Sequence, residues 1–274
     1  MFRVKKVLNH NTVIGIGMED HQEYLLIGKG IGFGRKVSER IELPEGGTMY
    51  SLKEETQRGS AAELVKSIDP VCLEIAEQIL KESEKVFGNI DWAILFPMAD
   101  HIAYAVKRIR SNEQISNPLT SDIQVLFHME YKAAQQAAPI LKERLDVEID
   151  AHEIGYIALH IHSAIEDENV ALSMQIARTV RECIQLVEKE TGMTIDVMSL
   201  SYNRLMNHVR YMAARAMSGE KLKLNMNDYM FCKFPEAYRL ASVVCSHLEN
   251  YLKKPLDEVE VGYLAMHIQR VSEE

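Results

Sequence analysis

The chain repeats itself, and the repeat restricts the architecture more than any other feature. Gly155-Tyr156-Ile157-Ala158-Leu159-His160-Ile161 returns as Gly262-Tyr263-Leu264-Ala265-Met266-His267-Ile268, an offset of 107 residues. The same offset relates Asp150 to Asp257 and Glu153 to Glu260. It also relates His101, Tyr104 and Arg108 to His208, Tyr211 and Arg215. Separate matches at one spacing point to a duplicated unit. Two such units in 274 residues leave a leading segment of about 60. Residues 1–60, 61–167 and 168–274 are therefore expected to be three domains, with short linkers near 55–67 and 166–172. Length alone suggests only about two domains, at roughly 150 residues each.

The leading segment differs in texture from the rest. It holds nine of the 14 glycines. Phe2, Val4 and Lys6 alternate with their neighbours, and Thr12-Val13-Ile14 and Tyr24-Leu25-Leu26-Ile27 are further short apolar runs between turn residues. This pattern predicts a small antiparallel β module. So small a sheet has little interior, and dimerisation is the expected remedy. Beyond residue 60, apolar residues recur at three- and four-residue spacing, as in Ile68, Cys72, Ile75 and Ile79 or Met174, Ala177, Val180 and Ile184. That spacing predicts helices, so the fold class is a small β module followed by two all-α bundles related by duplication.

Charge divides along the same line. The formal net charge is −9, which argues against a nucleic-acid binder held by bulk basicity. Yet residues 1–60 carry nine basic against eight acidic groups, leaving 22 against 32 in the remainder. The acidity belongs to the helical repeats. No apolar run approaches the roughly 18–20 residues of a membrane span, and no secretory signal core opens the chain, so a cytoplasmic protein without membrane insertion is expected. Four widely spaced cysteines without a C-x-x-C pair fit reduced, mostly buried thiols.

Four of the ten histidines occupy duplicated positions: His101, His160, His208 and His267. On helices, His101, Tyr104 and Arg108 share a face, as do Glu153, Tyr156 and His160. Preserved core histidines are one reading of this pattern. A metal site is another, but His160 and His162 point to different helix faces, and Gln269 replaces the second of them in the later copy. His152-Glu153 fails the zincin pattern because Tyr156 stands where a histidine is needed. No G-x-S-x-G elbow appears, and Gly28 to Gly34 matches neither a dinucleotide nor a P-loop pattern. A third reading is phosphoryl acceptance. Neutral imidazole is a nucleophile near pH 7, and the product carries up to about −2 charge, enough to rearrange an interface.

In the leading segment, Lys29, Phe33, Arg35 and Lys36 lie among glycines, with Asn9 and Asn11 upstream. Phe33 has the chemistry to stack on an unpaired base, the cations to meet phosphates, and the asparagines to bond base edges. A glycine-rich strand corner with a core phenylalanine is the plainer alternative.

Lys5-Lys6-Val7-Leu8-Asn9-His10-Asn11 followed by Gly28-Lys29-Gly30-Ile31-Gly32-Phe33 resembles the co-antiterminator RNA-binding module. The two histidine-bearing repeats resemble tandem PTS regulation domains. Over its whole length the chain is similar to transcriptional antiterminators of the BglG/SacY/LicT family, with a leaning toward the glucose-type branch. The resemblance implies a dimeric RNA-binding module that stabilises a leader-RNA hairpin and so prevents termination ahead of a sugar-uptake operon. It implies RNA contacts at Asn11, Gly28, Lys29 and Phe33, together with Lys6 and Asn9. It further implies phosphorylation of His101, His160, His208 and His267 by a sugar-specific phosphotransferase permease and by HPr. Control by the permease through the first domain is usually inhibitory in this family, and control by HPr through the second is activating in many members. No cofactor, metal or DNA partner is implied, and the chain is expected to be a regulator and not an enzyme. A phosphocarrier passing phosphate onward is the rival, although a carrier has no use for the Phe-bearing β module. A DNA-binding activator would need a helix-turn-helix where strands are expected. One departure stands out: Asp100 precedes His101, whereas Asn207 precedes His208.

Overall fold

The structure, a computed structural model, describes residues 1–53, 55–56, 59–113, 115–166, 169–196 and 199–273. The boundary expected at residues 167 and 168 lies outside them. Two compact units emerge, one formed by Met1–Asn117 with Phe127–Asn169 and the other by Pro118–Leu126 with Val170–Glu274.

In the first unit, strands β1 (Phe2–Val7), β2 (Thr12–Gly17), β3 (Glu23–Ile27), β4 (Arg40–Ile41) and β5 (Thr48–Ser51) form one antiparallel sheet in the order β4-β1-β2-β3-β5. The three apolar runs of the leading segment are its centre. The two short outer strands left no comparable alternation in the sequence. A register shift between Val4 and Lys6 turns both Lys5 and Lys6 to solvent, as a bulge does. One face packs Val4, Val13, Leu26, Ile31 and Ile41 into a small core. Ile31 belongs to the loop after β3, so that glycine-rich segment is pinned to the core by its one aliphatic residue.

The opposite face carries Thr12, Thr48 and Tyr50, and it packs on the first helical repeat. Tyr50 lies 5.6 Å from Trp92, ring centre to ring centre, and donates to Glu77 at 2.9 Å. One face of the sheet thus finds cover within its own chain.

Residues 55–67 are not the plain linker expected. They contain β6 (Glu55–Thr56), β7 (Gly59–Ser60) and α1 (Ala61–Ser67), with Ser60 capping the helix through the Glu63 N–H. Ser60 thus serves as the cap of a helix within the expected linker. The first repeat continues with α2 (Pro70–Phe87), a 3-10 turn (Trp92–Ile94), α3 (Leu95–Arg110), α4 (Thr120–Leu126), α5 (His128–Ala134), α6 (Ala137–Leu145) and α7 (Ala151–Ile165). Asp69 caps α2 ahead of Pro70, and Asp150 caps α7 by accepting the N–H groups of His152 and Glu153.

The second repeat comprises α8 (Val170–Thr191), α9 (Leu200–Ser218), α10 (Asn227–Lys233), α11 (Pro235–Leu252) and α12 (Glu260–Ser272). The 107-residue offset maps α4 onto α10 and the pair α5–α6 onto the unbroken α11. α10 packs on α11 and α12, whereas α4 packs on α8, where Arg181 lies 3.2 Å from Asp122. Cys72, Cys183 and Cys245 are buried, Cys232 is exposed, and all four are free thiols.

Gly32 closes the loop against the β1–β2 turn. Its N–H donates to the His10 carbonyl at 2.9 Å, and a Cβ there would meet the Asn9 carbonyl oxygen at 2.2 Å. Gly32→Ala is therefore expected to destabilise the module by about 1–3 kcal/mol. Thermal unfolding of the purified variant checks this, and an unchanged midpoint contradicts the close approach.

Candidate RNA interface and paired histidines

Two sets of side chains are available for function. The first lies where the β1–β2 turn meets the loop after β3. The Asn9 side-chain oxygen accepts the Asn11 N–H at 2.8 Å, and that of Asn11 accepts the Gly30 N–H at 3.0 Å. Main-chain bonds from Gly28 to Asn11 and from Gly32 to His10, both 2.9 Å, close the two loops on each other. Four residues singled out in the sequence, Asn9, Asn11, Gly28 and Lys29, are thereby brought into one neighbourhood. Gly28 lacks a side chain because Pro44 occupies the space, only 2.6 Å from an added Cβ. Phe33 is 70% exposed, not a core residue, and its ring stands edge-on to His10 at 5.4 Å. Lys29, Arg35 and Lys36 of the same segment are exposed as well. Lys6 stands apart on β1, paired with Ile14 and exposed.

An exposed aromatic held by its edge, with exposed cations in the same segment and oriented amides in the adjoining turn, has the chemistry of a single-stranded nucleic-acid platform. The residue missed in the sequence is Glu74. It contacts Asn9, Asn11 and Thr12 from α2. On α2, Glu74, Glu77 and Lys81 follow at i, i+3 and i+7, the mark of an exposed stripe, so nothing in the sequence marked Glu74 as buried.

The second set is duplicated. In the first repeat, α3 and α7 bring His101 and His160 together, with ring centres 5.4 Å apart, and Tyr156 flanks His101 at 5.3 Å. Glu153, 2% exposed, lies 3.2 Å from His101 Nε2 and forms an ion pair with Arg108. Burial pushes the Glu153 carboxyl up, but His101 and Arg108 outweigh it and hold the group below its ordinary value. Arg108 also sits 5.0 Å above the exposed Tyr104 ring.

In the second repeat, α9 and α12 stack His208 on His267 at 4.8 Å, with Tyr263 at 6.1 Å. Here Arg215 claims both oxygens of Glu260, at 2.6 and 2.9 Å, and His208 Nε2 stands 3.7 Å away. Arg210, not Arg215, covers the Tyr211 ring. Burial first, then the His267 and Arg215 charges, lower the His208 pKa to about 3. Burial, with Arg270 and Arg204, lowers that of His267 to about 4. Both rings are neutral near pH 7, the form in which a ring nitrogen acts as a nucleophile.

The carboxylate at the His101 ring nitrogen is thus Glu153, on the facing helix, and the Asn207 amide turns away to the Asn203 carbonyl at 2.9 Å. Beside the difference between Asp100 and Asn207, the imidazoles meet a shared glutamate in the first repeat and a fully claimed one in the second. His162 faces Glu130 at 2.9 Å and Phe127 at 4.5 Å, on a side of α7 separate from this pair. Among the described residues no cluster of metal-ligating groups forms, and no helix is long and apolar enough to cross a membrane.

Comparison with known proteins accounts for the order of these parts. Residues 2–59 match the CAT RNA binding domain, and residues 73–164 and 181–271 match the PRD domain. Protein GlcT of Staphylococcus haemolyticus is 30% identical over 97% of this chain and 95% of its own. The GlcA/glcB genes antiterminator of Staphylococcus carnosus is 27% identical over 99% and 96%. A crystal structure of GlcT CAT-PRDI covers 60% of this chain and 98% of its own, at 33% identity and a TM-score of 0.51.

Depressed histidine pKa values make a stability prediction. Groups neutral in the fold but protonated at an ordinary 6.5 when unfolded stabilise the native state above that pH. This contribution is lost as pH falls from about 6.5 toward about 3. Unfolding midpoints measured from pH 7 down to 4 should fall less steeply for His208→Gln than for the parent chain. Parallel curves would rule out a buried neutral His208.

Proposed function

The chain belongs to the family of antiterminators that join a CAT RNA-binding domain to two PRD domains, and on that premise we propose how its residues divide the work. It is an RNA-binding transcriptional antiterminator under phosphotransferase control. It holds a hairpin in nascent leader RNA, so that the overlapping terminator does not form and transcription of a sugar-uptake operon continues. The observation that carries the assignment of contacts is the exposed Phe33 beside the interlocked Asn11 and Gly28–Lys29 loops. Phe33 stacks on a base, Lys29 meets backbone phosphate, and Asn9 and Asn11 supply directed amides, with Lys6 adding charge from β1. The module works as a homodimer in the cytoplasm, and the regulatory domains span residues 61–167 and 168–274.

His101, His160, His208 and His267 are the acceptors of phosphoryl groups. The neutral ring nitrogen attacks phosphorus on a phosphorylated donor protein, the donor's bond to phosphorus breaks, and the acceptor ring gains the group. A sugar-specific permease serves the first domain and HPr the second. In the first repeat the added charge falls beside Glu153, so repulsion disturbs the Arg108–Glu153 pair. In the second, Glu260 is already neutralised by Arg215 on both oxygens, and the same charge meets less opposition.

Two measurements test this reading. Phe33→Ala should weaken hairpin binding about tenfold in a gel shift while leaving the circular dichroism unchanged, a loss of roughly 1–3 kcal/mol. Retained affinity in the folded variant removes the stacking role. His101→Asp or His160→Asp, partial mimics of phosphate, should reduce read-through of a terminator reporter in cells. Read-through equal to that of the parent chain counts against negative control by the first domain.

A further inference from the structure

Helix α2 belongs to a regulatory repeat, yet two of its glutamates turn toward the β module. Glu74 is 6% exposed and Glu77 is 7% exposed. One Glu74 oxygen accepts from Asn9 Nδ2 at 2.7 Å and from the Thr12 hydroxyl at 3.0 Å. The other accepts from Asn11 Nδ2 at 3.5 Å and from Arg144 at 2.6 Å. Both asparagine oxygens are already committed to main-chain N–H groups of the module's own loops. Their Nδ2 groups, with the Thr12 hydroxyl, therefore form a donor set that is fixed in direction and converges on one anionic group.

Such a set suits any oxygen acceptor of RNA. We propose that Glu74 competes with RNA for the donors of Asn9, Asn11 and Thr12, so that α2 of the first regulatory domain holds the RNA-binding face closed in the free chain. This rests on the reading of Asn9 and Asn11 as RNA contacts.

Three features support competition over a merely structural contact. Arg144 compensates the buried charge, so the closed arrangement leaves no unpaired carboxylate. The groove beside the contact has Asn11, Gly28 and Lys29 on one wall and Glu74, Glu77 and Lys81 of α2 on the other, so α2 lines the side from which a ligand reaches the Asn11 donor. Finally, α2 packs along α3, the helix that bears His101, which places the closing helix against the site of modification. A closed population lowers apparent affinity in proportion to the fraction that is open.

The test measures binding of a fluorescein-labelled leader hairpin that the full chain shifts, by anisotropy at one fixed salt concentration. Glu74→Ala and Glu74→Gln in the full chain should each bind more tightly, by roughly tenfold for Ala, the scale of hydrogen bonds to a charged group. Glu74→Gln has the parent's shape and decides the matter if the Ala variant does not fold. Folded Glu74 variants that bind as the parent does, or more weakly, overturn the proposal while Phe33→Ala still loses the hairpin. If Phe33→Ala also binds normally, the RNA-face reading itself falls.

Discussion

Glu153 and Glu260 are carboxylates almost wholly removed from water, and each is compensated by an arginine from the facing helix. A buried charge without such a partner costs several kcal/mol, so the pairing fixes how the two helices meet. In the first repeat it locks α7 against α3, and in the second α12 against α9. The histidines one or two turns away are then obliged to face each other, ring against ring. Everything proposed about phosphorylation depends on this register. A turn's slip of either helix would separate the imidazoles.

The two copies use the same parts differently. Arg108 is shared between Glu153 and the Tyr104 ring, while Arg215 gives two of its nitrogens, Nε and Nη2, to Glu260 and Arg210 takes the tyrosine. His101 thus keeps a carboxylate oxygen at 3.2 Å, but His208 sees one at 3.7 Å. The surroundings differ as well. α11 runs unbroken where α5 and α6 are separate, and α4 and α10, though equivalent by offset, pack on different partners. Duplicated sequence has given two chemically distinct environments for the same ring.

The β module shows a related economy. Its inner face supports a core of five buried aliphatic residues, small for an independent domain. Its outer face rests on α2, where Tyr50, Thr48 and Thr12 meet Glu77 and Glu74. Support from the helical repeat thus includes polar contacts at the turn that carries the asparagines, beside the packing of Tyr50 on Trp92. Stability of the sheet and access to its turn are drawn from one interface.

Periodicity and repetition made much of this legible in one dimension. The three central strands follow from the runs at Phe2–Val4, Thr12–Ile14 and Tyr24–Ile27, and the helical repeats from apolar spacing. The four histidines stood out because an exact offset survives independent of packing. The strands at Arg40–Ile41 and Thr48–Ser51 were hidden because two to four residues carry no period. The start of α1, expected as a linker, is a seven-residue helix too short to show a period. Asp100 drew attention as a sequence neighbour of His101, whereas Glu153, 3.2 Å from that ring, comes from another helix and no local spacing announces it. Glu74 reads as a solvated glutamate on an amphipathic helix. Local pattern settles which faces are apolar. Which distant polar groups converge depends on how the sheet, α2 and α6 pack, and no spacing along the chain encodes that distance.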